Sequence, residues 1–154
     1  TGIRRQRQMC IRDRITALVD FEELYFSRFG DPDQGKDRSG NNSYTTINTR
    51  DSQSSVTAVA TDNQFAVTLA TNENNSVGAG ISGDTSIGLT GISSTSSWQT
   101  KGRYYLAATE SSSTGDESIG LGFEFNNVSS GDTQSFYYAY CLGRRCYCIK
   151  KYMQ

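Results

Sequence analysis

Ile119-Gly-Leu121-Gly-Phe123-Glu-Phe125 sets four large apolar side chains at every second position, with Gly120, Gly122 and Glu124 between them. Successive side chains of an extended chain point to opposite faces, so this period of two marks a strand that buries one face. After a turn at Ser130-Gly131-Asp132, Phe136, Tyr138, Tyr140 and Leu142 repeat the pattern. Upstream, Val56-Thr-Ala58-Val-Ala60 and Phe65-Ala-Val67-Thr-Leu69 alternate on either side of Asp62-Asn63, a pair suited to a two-residue hairpin turn. Tyr104-Tyr-Leu106-Ala-Ala108 reads as a further strand. Phe21-Glu-Glu-Leu-Tyr-Phe-Ser-Arg-Phe29 reads as a strand ending at Gly30, although Ile15, Leu18 and Val19 also permit a helix. Val77 to Ser97 is rich in Gly, Ser and Thr and reads as a short edge strand with long loops. Short strands separated by Ser, Thr, Asn, Asp and Gly turns predict an all-β fold, an antiparallel β-sandwich with irregular termini.

The residues with the most chemistry crowd into the ends. All four cysteines (Cys10, Cys141, Cys146, Cys148) lie near the termini, as do nine of the fifteen Lys and Arg residues. Ile15 to Tyr140 holds six basic and fifteen acidic residues, a net of −9, against −1 for the whole chain of 154 residues. That acidic body disfavours nucleic acid and anionic lipid. No apolar run reaches the roughly 18 residues that a membrane helix needs, so no membrane insertion is predicted. The chain has no histidine, which removes Ser-His-Asp and Cys-His nucleophile activation and most zinc sites. Apolar content is only 35%, but nine Tyr and seven Phe supply large groups to bury. The start lacks both a Met and an apolar leader segment, and the chain reads as a fragment of something longer.

A few constellations invite chemical readings. Asp31-Pro-Asp33-Gln-Gly35-Lys-Asp37 puts three carboxylates in a tight loop, and calcium favours hard oxygen ligands at such spacing. The same residues also make a plain Asx/Pro turn. Trp98, Tyr104 and Tyr105 are candidates for stacking on sugar rings, or else for plugging the core. Gly78-Ala-Gly80-Ile-Ser-Gly83 matches the dinucleotide fingerprint literally. The Asn-rich turn before it and the poor helix former after it mark a chance match. The C-x4-C-x-C spacing of Cys141, Cys146 and Cys148 is not that of a zinc knuckle, and idle thiols or an extraneous tail are the preferred readings over a disulfide. A glycosidase would need two carboxylates across a cleft, and Glu124 stands out among the available acids only as a solvent-facing strand residue.

Two resemblances add to this. Arg4 to Arg14 (RRQRQMCIRDR) resembles the conceptual translation of a sequencing adapter that contaminates metagenomic assemblies, which implies that those residues were never selected to fold or bind. Tyr25 to Gly35 (YFSRFGDPDQG), SYTTINTRDS and the run from Ser118 to Tyr140 resemble β-supersandwich-like modules of large secreted bacterial proteins, including RTX-type calcium-binding and adhesin-like proteins. That resemblance implies an extracellular, non-catalytic module beside neighbouring domains of one parent protein.

The sequence therefore predicts a single sandwich domain over 15–142, flanked by non-native or disordered segments at 1–14 and 143–154. Its expected work is structural or adhesive, at the cell surface or outside the cell. Calcium at Asp31, Asp33 and Asp37 is the one candidate cofactor. The alternative is a carbohydrate-binding or accessory module that meets surface glycans through Trp98, Tyr104 and Tyr105. A carboxylate-based glycoside hydrolase fragment is the least favoured reading.

Overall fold

The alternating segment from residue 119 lies at the centre of a strand that runs from Glu117 to Val128. A computed structural model describes residues 7–32, 45–61, 65–72, 76–83, 105–106 and 111–142. Among them are nine strands: β1 Arg7–Thr16, β2 Phe21–Gly30, β3 Thr46–Ser52, β4 Ser55–Ala60, β5 Ala66–Ala70, β6 Val77–Gly83, β7 Ser112–Gly115, β8 Glu117–Val128 and β9 Thr133–Leu142. They form two antiparallel sheets, one in the order β1-β9-β5-β4-β3-β7 and one in the order β2-β8-β6. The sheets pack face to face as a β-sandwich, as the alternation predicts.

Ile119, Leu121 and Phe123 of β8 form the core with Phe136 and Tyr138 of β9, Val56 and Ala58 of β4, Leu69 of β5, and Val77, Ala79 and Ile81 of β6. Aromatic rings dominate one end of this layer. Phe26 of β2 lies 4.7 Å from Phe136, Phe123 lies 4.8 Å from Phe136, and Phe125 lies 5.5 Å from it, all tilted. Such pairs add about 0.5–1.5 kcal/mol each beyond the area they bury.

The expected strand over Phe21 to Gly30 is β2, which pairs with β8 from Phe21↔Val128 to Gly30↔Ile119. The expected hairpin is β4 and β5, joined in register from Ser55↔Ala70 to Val59↔Ala66. Its turn residues Asp62 and Asn63 lie outside the described residues. The segment from Val77 supplies β6, an edge strand of the smaller sheet.

Two features differ from expectation. The boundary placed after residue 14 falls inside β1, whose ten residues pair with β9 without interruption from Arg7↔Leu142 to Thr16↔Thr133. Ile11 and Ile15 pack against the core from this strand. Its charges disguise it in the sequence: Arg12 and Arg14 take the outer face, where Arg12 lies over the Tyr137 ring at 5.5 Å. The second difference is at Tyr105 and Leu106, which form a turn rather than part of a strand.

That turn explains the glycines. Gly78↔Gly122 and Gly80↔Gly120 are direct cross-strand partners on the outer face of the smaller sheet. A side chain at Gly120 would overlap the ring of Tyr105, and one at Gly78 would overlap the backbone of Tyr105 and Leu106. At Gly122 a methyl would stand 3.2 Å from the Tyr105 Cβ. The paired glycines thus make a trough that Tyr105 fills, leaving its side chain 0% exposed.

Candidate functional site

Three clusters of polar side chains among the described residues bear on function. On the outer face of the smaller sheet, beside the trough, Tyr25 stands opposite Glu124 in the β2–β8 register. Its hydroxyl lies 2.9 Å from Glu23 Oε2 and 3.1 Å from Glu124 Oε1, so one phenol serves two carboxylates. A single O–H donates one proton, so the phenol bonds one of the two carboxylates at a time.

The second group bridges the layers where β1 and β2 border the sandwich. Arg28 Nε donates to the Tyr140 hydroxyl at 2.8 Å, and the guanidinium lies over that ring at 5.7 Å. This hydrogen bond is the main reason the Arg28 pKa is raised, holding its charge more firmly. Tyr138 donates to Asp13 Oδ2 at 3.0 Å. Burial, reinforced by the bond to Asp13, pushes the Tyr138 phenol up to about 12. The group is charge-assisted at both ends and ties β1 and β2 to β9.

The third lies on the core-facing side of β3. Thr46 and Asn48 are buried, with Thr46 Oγ1 donating to Asn48 Oδ1 at 2.9 Å. Asn48 Nδ2 reaches the Thr46 carbonyl at 3.4 Å, and Arg50 Nε donates to the Ala79 carbonyl at 2.7 Å across the layers. Ser113, opposite Asn48 in the β3–β7 register, bonds Glu117. These contacts satisfy buried polar groups beside the core, a structural use.

The residues singled out in the sequence fare unevenly. Asp31 is exposed just past β2, while Asp33, Asp37, Trp98 and Tyr104 lie outside the described residues. No group of three or more His, Cys, Asp or Glu that would hold a metal ion occurs among the described residues. Tyr105, a candidate for stacking on a sugar, is instead sealed in the glycine trough, where its ring offers no free face. The literal G-x-G-x-x-G stretch lies within β6, where its backbone pairs with β8 from Gly78↔Gly122 to Gly83↔Glu117 instead of opening a helix. Glu124 does face away from the core, and its partner Tyr25 was not foreseen; the β2–β8 register that unites them joins segments 99 residues apart. Cys10 and Cys141 are both disulfide-bonded, against the preferred reading of the cysteines as idle thiols or part of an extraneous tail. They sit on the same face of β1 and β9, Cys10 opposite Ala139 and Cys141 opposite Gln8.

No family model, curated protein or solved structure matches this chain.

Proposed function

We propose that this chain is a non-catalytic, extracellular β-sandwich module of a larger secreted or surface-exposed bacterial protein, with a structural or adhesive role. The observation that carries this reading is that Cys10 and Cys141, on neighbouring strands of the larger sheet, are both disulfide-bonded. Disulfides persist in oxidising compartments and are rare where thiol reductants are abundant. The resemblance of Tyr25 to Gly35 and Ser118 to Tyr140 to β-supersandwich-like modules points the same way. Thiol titration of the protein isolated from its native compartment tests it. Cys10 and Cys141 are expected to resist alkylation until a reductant is added; their ready alkylation would refute the exported reading. Calcium at the Asp31–Asp37 loop belongs to this proposal, with a rise in melting temperature on adding calcium as its check.

One observation favours a second reading, a carbohydrate-binding module. Tyr25, Glu23 and Glu124 combine an aromatic face with carboxylate acceptors on an outer sheet surface, the pairing that sugar hydroxyls and C–H faces engage. A glycan array probed with the protein and with Tyr25→Ala decides it. Retention lost in the variant supports sugar binding, and a blank array for both removes it.

A further inference from the structure

The two ends of the β1–β9 pair carry complementary surfaces. At one end the β1–β2 connection displays Leu18, 87% exposed, and Val19, 57% exposed, followed by Phe21 at the start of β2. This apex is held in shape. Ala17 N donates to the Asp132 carbonyl at 2.9 Å, Gly131 N donates to the Ala17 carbonyl at 2.8 Å, and Ser130 Oγ donates to the Leu18 carbonyl at 3.0 Å. Ser130 N also donates to Asp20 Oδ1 at 2.7 Å. The charged residues of 16–22 and 127–133 are Asp20, Glu22 and Asp132, with no cation among them. The result is a rigid apolar knob with an acidic rim.

The other end is its counterpart. Met9, opposite Tyr140, and Leu142, opposite Val67, share the core-facing side of the larger sheet. Met9 is nevertheless 60% exposed and Leu142 53% exposed. Arg28 stands over Tyr140 at the border of this ledge. Nine residue steps, roughly 30 Å of extended chain, lead from Met9 to Leu18.

We propose that the knob of one molecule docks on the ledge of a second copy, so that the protein associates head to tail. This goes beyond the proposed function and does not depend on the compartment. Each surface buries what the other exposes, Leu18 and Val19 against Met9, Val67 and Leu142, and the acidic rim meets Arg28. Such a contact uses two different patches, so it builds open chains, each with a free knob and a free ledge, or rings where the rotation closes, and not a two-fold dimer. The small apolar area makes the association weak, and the charges make it sensitive to salt.

Sedimentation of the oxidised protein at up to about 1 mM, a concentration suited to weak small interfaces, reads the outcome. At low ionic strength the mean mass is expected to rise steadily with concentration and to fall back at high salt. A protein that stays monomeric throughout overturns the proposal. Leu18→Asp disables the knob, and Met9→Asp with Leu142→Asp disables the ledge; all three positions are exposed, and circular dichroism checks that each variant folds. Each variant alone is expected to be monomeric, while an equal mixture yields a dimer and nothing longer. A mixture that remains monomeric, or a variant that associates by itself, overturns head-to-tail docking. Should the ledge double variant misfold, Arg28→Gln takes its place, with a reduced salt dependence expected and an unchanged one counting against the pairing.

Discussion

Gly120 and Tyr105 show how far a single atom matters here. A methyl at Gly120 meets the Tyr105 ring, which has no space to retreat within the trough. Gly120→Ala is therefore expected to destabilise the domain by about 1–3 kcal/mol, the usual cost of overpacking, measured by urea titration. Gly30, with nothing near its missing side chain, serves as the control, and Gly30→Ala should change little. Tyr138 makes a pH prediction. Its folded pKa is raised from 10 to about 12, so the folded state favours the neutral phenol. The resulting stabilisation is complete below pH 10 and is lost as pH rises through about 12, on the order of 2 kcal/mol in all. Tyr138→Phe should flatten the stability profile across that window. At this scale the sequence is half legible. The outward position of Glu124 follows from the alternation of β8 alone. The burial of Tyr105 does not, because it depends on Gly78, Gly120 and Gly122, glycines of two different strands brought side by side only by pairing.

The strands divide along the same line. β8, β9, β4 and β5 each bury one face under large apolar groups, so period two betrays them. Among the described residues β1 and β7 are the outer strands of the larger sheet, where charged or small side chains are tolerated. Their sequences, RQMCIRDRIT and SSTG, show too little apolar alternation to announce a strand. β1 is also the element on which the adapter resemblance of residues 4–14 can be tested. It covers one whole flank of β9, contributes Ile11 and Ile15 to the core, and supplies the Asp13 partner of Tyr138. Removing residues 1–14 is expected to expose the β9 edge, lower the melting temperature and promote aggregation. If the shortened protein melts like the full chain, β1 contributes nothing to the fold.

Across the whole molecule, the first and last strands described here lie side by side, so closing the larger sheet joins residues more than a hundred positions apart. Such non-local pairing slows folding, because the chain loses loop entropy before the contacts that offset it form. Refolding from denaturant, with the disulfides reduced, is expected in the range of milliseconds to seconds or slower. Stopped-flow fluorescence of the tyrosines and of Trp98 measures it, and a microsecond phase that accounts for the full amplitude would contradict the pairing. The two-layer architecture itself was readable, since alternating strands with polar turns leave few other ways to bury their apolar faces. The sheet order was not, because nothing in the local pattern of β9 says that β1 and β5 are its neighbours.

Arg7 and Leu142, at the two limits of that strand pair, are direct partners. A mechanical load pulling the two termini apart therefore enters the sandwich at one pole and peels β1 from β9 one pair at a time, the geometry of a zipper rather than of a sliding bolt. Strand pairs loaded this way yield at low force. Cys141 stands opposite Gln8 and Cys10 opposite Ala139, within the first four pairs from the fork, and both are disulfide-bonded. Each of these cysteines thus carries a covalent bond within the stretch where tearing would begin, and reduction is expected to let the domain open from that end at lower force.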